Sequence, residues 1–291
     1  LGYNPLQVAL LRWYPANQTG DTISVGNAPV GVAFDGSNIW NTNFNDNTVT
    51  KTRAADGATL GTFSVGTQPG GIVFDGISLW VSNFGDNTVT KLRANDGTTL
   101  GTFSVGTRPE IPGFDGANIW VPNYGTNNVT KLRASDGTTL GTFPVGTEPQ
   151  CAAFDGTNIW VANTADNTLT ELSTSGSILG TFGVGHQPVS CRFDGANIWV
   201  SNYGDNTVSK VRVTDGATVG TFPVGSLPQD IVFDGANIWI ANSGSNNVTE
   251  LRAADGSNLG TFSTGSRPLS LAFDGANIWV TDQFSNALSK L

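Results

Sequence analysis

The chain has 291 residues, of which 38% are hydrophobic and only 13% charged, with a formal net charge of −9 and a pI near 4.4. That acidic field repels polyanions and argues against a nucleic-acid partner, and no apolar run approaches the roughly 20 residues that cross a bilayer as a helix. Met is absent and the chain opens on Leu1, so it is expected to be a processed or excised piece from which any signal peptide has gone.

Residues 1–20, LGYNPLQVALLRWYPANQTG, precede any repeat. Within them Gln7–Tyr14 is expected to form a lead-in strand or tether, the natural contact for a protein partner or neighbouring domain. From residue 21 one pattern fills the chain. Phe-Asp-Gly begins at residues 34, 74, 114, 154, 193, 233 and 273, in steps of 40, 40, 40, 39, 40 and 40. A period near 40 marks a supersecondary unit that cannot bury its own apolar face and relies on its neighbours to cover it. An unbroken repeat over 21–291 therefore predicts a single domain, although length alone would suggest two.

The third unit shows the plan. Glu110–Phe114 reads as an innermost strand, turned by Asp115-Gly116 into a second, Asn118–Pro122, whose Trp120 is the largest side chain for packing between units. The loop Asn123–Asn127 leads to a third strand, Asn128–Arg133, and Asp136-Gly137 turns the chain into an outer strand, Leu140–Val145. Four strands per unit and seven units predict an all-β, seven-bladed β-propeller. Its closure follows from an offset: residues 21–26 match an outer strand, while the last unit, 266–291, stops after its third. Pairing of the two ends completes the seventh blade and leaves no unpaired blade in the ring.

Thirteen of the sixteen Phe and seven of the eight Trp hold repeated places and are assigned to packing. Asn83 with Asn87, and Asn123 with Asn127, are expected to organise their loops through Asx turns. Lys91 with Arg93, and Lys131 with Arg133, are expected to face solvent and discourage edge pairing. Cys151 and Cys191 lie on neighbouring innermost strands, two residues after Pro149 and three after Pro188. This parity puts their side chains on opposite strand faces, so two buried thiols are expected, with a disulfide as the alternative.

The units share Pro-x-x-x-x-Phe-Asp-Gly, Ile-Trp-Val-x-Asn, Asn-Thr-Val-Thr-Lys-Leu and Thr-Phe-x-Val-Gly, with Trp80-Val81-Ser82-Asn83 and Trp279-Val280-Thr281-Asp282 among the variants. The set resembles the YVTN-type β-propeller repeats of bacterial and archaeal secreted and surface proteins, which implies a secreted or cell-surface location. A remoter likeness is to virginiamycin B lyase-type propellers. Only the fold carries over from these, because their catalytic His and acid have no counterpart here residue by residue.

Positions identical in every unit hold the fold, and those that differ are free for a ligand. Variation concentrates around the Pro that leads into each innermost strand, at one mouth of the central channel. Arg108, Glu110, Glu148, Gln150, Gln229 and Asp230 fall there, with the single histidine, His186, at the same mouth and Arg192 deeper on blade 5. Tyr124 and Tyr203, with Phe44 and Phe84, share one place in the loops beside that mouth, where rings could stack on sugar faces. These ten polar and tyrosine residues form the expected ligand site for a small molecule or glycan. Glu148 and His186 are the candidate bases for catalysis. No metal-ligand spacing, cofactor fingerprint or nucleophile elbow accompanies them, so no metal or cofactor is expected. The leading expectation is a non-catalytic recognition or scaffold module. A lyase or hydrolase acting at the channel mouth, and a structural subunit of a surface assembly, are the alternatives.

Overall fold

The computed structural model describes residues 21–291, and the strand expected at Gln7–Tyr14 lies outside them. Among the described residues, seven four-stranded antiparallel sheets account for all regular structure. Each innermost strand packs against those of the blades before and after it, and the seventh against the first, so the blades form a closed ring. Blade 7 combines Pro268–Phe273, Ile278–Asp282 and Ala287–Lys290 with Asp21–Ser24, Asp21 lying opposite Lys290 and Ser24 opposite Ala287. The termini therefore join as the offset predicts.

Each blade is fixed to the next by its Trp. Trp120 is fully buried and clusters with Ile159, Val161 and Leu172 of the following blade, and an equivalent cluster fills each of the seven interfaces. Burying one large apolar side chain contributes about 1.5–3 kcal/mol. The indole N–H needs an acceptor in that dry setting, and the Asp of Phe-Asp-Gly supplies it. Trp120 Nε1 donates to Asp115 Oδ2 at 2.8 Å, while Asp115 Oδ1 accepts from the backbone N–H groups of Ala117 and Asn118. The same indole–carboxylate bond recurs in every blade. Burial alone would push the Asp115 carboxyl up, but the bonds from Trp120 and Asn118 outweigh it and hold the group below its ordinary value. One Asp thus turns the hairpin and anchors the interblade Trp.

Outer-strand Phe residues close the packing. Phe103 lies 5.6 Å from Trp80, and a Cβ on Gly137 of the next blade would come within 2.1 Å of the Phe103 ring. Gly137 also has φ of 78°, so the turn requires glycine twice over. The third-strand Lys residues depart from expectation. Lys51, Lys91 and Lys210 are buried, each with its ammonium over the Trp of its own blade and bonded to carbonyl oxygens of the next. Lys91 and Arg93 share a strand face, but Arg93 stands at the exposed strand end while Lys91 lies within the interface, where the long stem lies along apolar surface and the ammonium finds Ala134 O at 2.6 Å. Arg53, Arg93 and Arg133 do face solvent, paired with Asp56, Asp96 and Asp136.

Around the channel the blades are joined by different means. Most innermost strands carry a register irregularity just after the leading Pro, which re-aims the next residues toward the axis. Thr42, Ser201 and Thr281 each accept from a backbone N–H at their own blade's irregularity and donate to a carbonyl of the next blade. Blade 3 departs from expectation: its innermost strand is only Gly113–Phe114, not Glu110–Phe114. Pro112 has no N–H for a ladder, and Ile111 instead pairs across the interface, donating to Gln150 O and accepting from Ala152 N.

Cys151 and Cys191 form a disulfide with a Cα separation of 6.0 Å, overturning the expectation of two thiols. Opposite parity is what permits it, because adjacent blades present opposite faces of their sheets to one another. Farther round, Asp230 joins three blades. Its carboxylate accepts from Ser190 Oγ and Ile231 N through Oδ1, and from Ser270 Oγ and Leu271 N through Oδ2, all within 3.0 Å.

Two stability measurements follow from these links. The disulfide closes a loop of 40 residues, for which chain entropy gives about 4 kcal/mol; reduction, or the Cys151→Ser/Cys191→Ser double variant, is expected to lower the urea-unfolding free energy by about 2–4 kcal/mol. Asp230→Ala strands four donors, three of them buried, and is expected to cost about 3 kcal/mol or more, whereas Asp255→Ala, at an exposed turn, should change little.

Candidate functional site at the channel mouth

The mouth is built by a local device repeated in all seven blades. The residue before each leading Pro has positive φ without being glycine: Ala28, Gln68, Arg108, Glu148, Gln187, Leu227 and Arg267, between 53° and 58°. Each backbone N–H there is held by an Asn side chain of the preceding blade, as Asn87 Oδ1 holds Arg108 N at 2.9 Å and Asn127 Oδ1 holds Glu148 N at 3.0 Å. The loop Asn residues therefore organise a neighbour's turn as well as their own loop. Each leading turn also accepts a backbone bond from the second-to-third-strand loop of its own blade, such as Tyr124 N to Arg108 O. Variable side chains are thereby fixed at one level around the opening.

Across blades 1 to 4 these side chains form a continuous arc. Phe44 and Phe84 lie 6.5 Å apart, the Arg108 guanidinium lies 5.5 Å above the Phe84 ring, and the Glu148 carboxylate neighbours the Tyr124 phenol. Burial, then the neighbouring Glu148 carboxylate, push the Tyr124 phenol up. The rings are half-buried and pack on their neighbours. Tyr203 is half-buried on blade 5, and His186 is exposed, its backbone N bonded to Asp205 Oδ2 and its ring against Gly204.

Below the arc a cavity of about 120 Å³ brings together Glu110, Gln150, Arg192, Gln229 and Asp230, on blades 3 to 6. Arg108, Glu148, His186, Tyr124 and Tyr203 stay on the rim above it. The five lining residues are chemically unequal. Asp230 is saturated by its four donors, and Arg192 donates Nε–H to Ile231 O with its Nη2 3.8 Å from Asp230, so both belong to the wall. Glu110 has no such support: burial pushes its carboxyl up to about 8, and among the described residues no donor or cation offsets this. Ile111 and Arg192 also line a recess of about 360 Å³ at the opposite end, bounded by Phe74, Phe114, Phe154 and Phe193, and so partition the channel.

The repeat comparison does not reveal the residues that buttress the wall. Ser190, Ser270 and Thr281 matter through bonds to other blades, which one unit's sequence does not display. Paired hydroxyls at equivalent offsets, such as Ser190 and Ser270, are the one available signal. No assembled nucleophile and base emerges among the described residues: Ser190 Oγ donates to Asp230, and Cys191 is in the disulfide.

No protein-family model and no curated protein matches the sequence. Among solved structures, the chain superposes on a streptogramin B lyase with a TM-score of 0.82 and 16% identity, covering 93% of this chain and 96% of that one. It superposes on the hydrazine synthase of Kuenenia stuttgartiensis (TM-score 0.81, 18% identity, 92% and 96% covered) and on virginiamycin B lyase from Staphylococcus aureus (0.81, 17%, 94% and 98%). At these identities the likeness is one of fold, and no residue's role crosses with it. The chain is similar in architecture to the virginiamycin B lyase-type seven-bladed β-propellers.

Proposed function

We propose that this propeller is a secreted or surface-exposed recognition module that binds a small polar molecule or glycan at the channel mouth without transforming it. The observation that carries this reading is the mouth itself. Holding a non-glycine residue at positive φ costs about 1 kcal/mol, and glycine would close the same turn more cheaply. Seven different turns keep a side chain there, four of them bearing Gln or Arg and one Glu, each braced by an Asn from the preceding blade. Presentation of those side chains is a use that accounts for the strain.

The charge pattern supports a polar ligand. Arg108 and Glu148 flank Tyr124 on the rim, and Glu110, Gln150 and Gln229 line the cavity beneath. The disulfide supports an oxidising location. A lyase or hydrolase remains the second reading, favoured by the fold of the two lyases above. It would place Glu148, beside the Tyr124 phenol, as base ahead of His186, which stands exposed on the rim away from the cavity-lining groups.

A glycan array and a small-molecule thermal-shift screen are expected to yield a ligand whose affinity falls about tenfold, or 1.4 kcal/mol, in each of Arg108→Ala, Glu110→Ala and Gln150→Ala. Unchanged affinity in all three would place binding elsewhere, and turnover abolished by Glu148→Ala would favour the lyase reading. The carboxyl of Glu110 gives an independent check without a ligand. An unfolded Glu titrates near 4.3 and the folded group near 8, so between these values the folded chain holds a proton that the unfolded chain releases. Stability should fall as pH rises through that window, and Glu110→Gln should flatten the slope.

A further inference from the structure

The cavity beneath the mouth is selective in what it leaves unanswered. Its two charged wall groups, Arg192 and Asp230, already answer one another. Three polar side chains remain without a protein partner among the described residues: the carboxyl of Glu110 and the amides of Gln150 and Gln229, on blades 3, 4 and 6. Val30, Val189 and Leu269 supply apolar wall between them. A volume of about 120 Å³ matches roughly four waters, or a short unbranched chain with one polar end.

A carboxylate and two amide oxygens converging on a narrow apolar throat offer three acceptors to a group with three donors, and an ammonium is that group. A carboxylate ligand would meet Glu110 and Asp230, opposed by Arg192 alone, whose Nε–H already goes to Ile231 O and whose Nη2 lies 3.8 Å from Asp230. A neutral hydroxyl would bring a single donor to these three groups. Resting on the mouth as the ligand site, the geometry points to a primary alkylammonium as the group the channel receives, its apolar stem along Val30, Val189 and Leu269 and its head bonded to Glu110, Gln150 and Gln229. The groups facing Glu110 set how this depends on pH. Tyr124, Arg108 and Glu148 lie toward the rim, and Arg192 and Asp230 share the cavity; burial alone, and none of these, dominates the Glu110 carboxyl. A protonated Glu110 must release its proton to pair with the cation.

Calorimetry with n-butylammonium, and in a parallel arm with Nα-acetyl-lysine amide, tests this on the full chain. Binding is expected to release close to one proton at pH 7, read from titrations in buffers of different ionisation enthalpy. Affinity is expected to rise about tenfold per pH unit from 6 to 8 and then level off. Glu110→Gln, near-isosteric and checked for an unchanged thermal midpoint, should lose at least tenfold and show no pH slope; Gln150→Leu should lose affinity while keeping the slope. Amine binding that is equal in Glu110→Gln, or that releases no proton, would overturn the assignment, as would absence of amine binding throughout pH 6–9. If amines fail but a neutral glycan or polyol binds and is weakened by Arg108→Ala, the ammonium assignment falls and the mouth stands as the site. If no ligand depends on Arg108 or Glu110, both fall.

Discussion

A four-stranded sheet that is apolar on both faces must be covered on both, and in this chain each Trp is pointed at the next blade to do so. The Asp of Phe-Asp-Gly makes this possible, because it takes up the indole N–H that burial would otherwise orphan while bracing the turn that delivers the Trp. Repetition of that one interaction leaves every blade incomplete without a neighbour on each side. An open array would leave Trp279 uncovered; in the ring it clusters with Val32, Ile39 and Ala54 of blade 1. Closure by Asp21–Ser24 is thus the completion of a requirement set in every unit.

Near the axis the constraint relaxes and the blades cease to be equivalent. The outer layers repeat the Trp–Asp bond in every blade and the Trp–Phe pair in six, whereas the inner links run from hydroxyl relays through a backbone bridge to a disulfide and a shared carboxylate. Uniform packing outside carries the stability that permits unlike residues inside. Lys91 and its equivalents belong to the uniform part, and their place is taken by Glu171 and Glu250 on blades 4 and 6. Burial raises both carboxyls, and each accepts from the Asn that elsewhere bonds the turn Asp. These two blades depart from the common scheme at the interface and, through Gln150, Gln229 and Asp230, at the channel as well.

The ring, its closure and the packing roles of Phe and Trp were legible because they rest on period and on local alternation, both of which a sequence displays. The gathering of Glu110, Gln150, Arg192, Gln229 and Asp230 was legible as a place, since equivalent offsets in a propeller share a level. Their unequal roles were not. Asp230 as a wall group and Glu110 as an unpartnered one differ mainly through residues 40 or more positions away. The disulfide was misjudged for a related reason: parity was followed along one strand, while the bond joins facing sides of two. The Lys residues were misjudged because long cationic side chains were assigned to water by charge alone, when an aromatic face and two carbonyls await the ammonium.

The claim on which the account depends is that every blade, the composite seventh included, shares one cooperative ring. Native-state hydrogen exchange read residue by residue tests it most directly. The amides that pair Asp21–Ser24 with Ala287–Lys290 are predicted to exchange at the same free energy as ladder amides within blades 2 to 6, through global unfolding. Exchange of the closing pair at a far lower free energy, while the other blades stay protected, would contradict a closed ring.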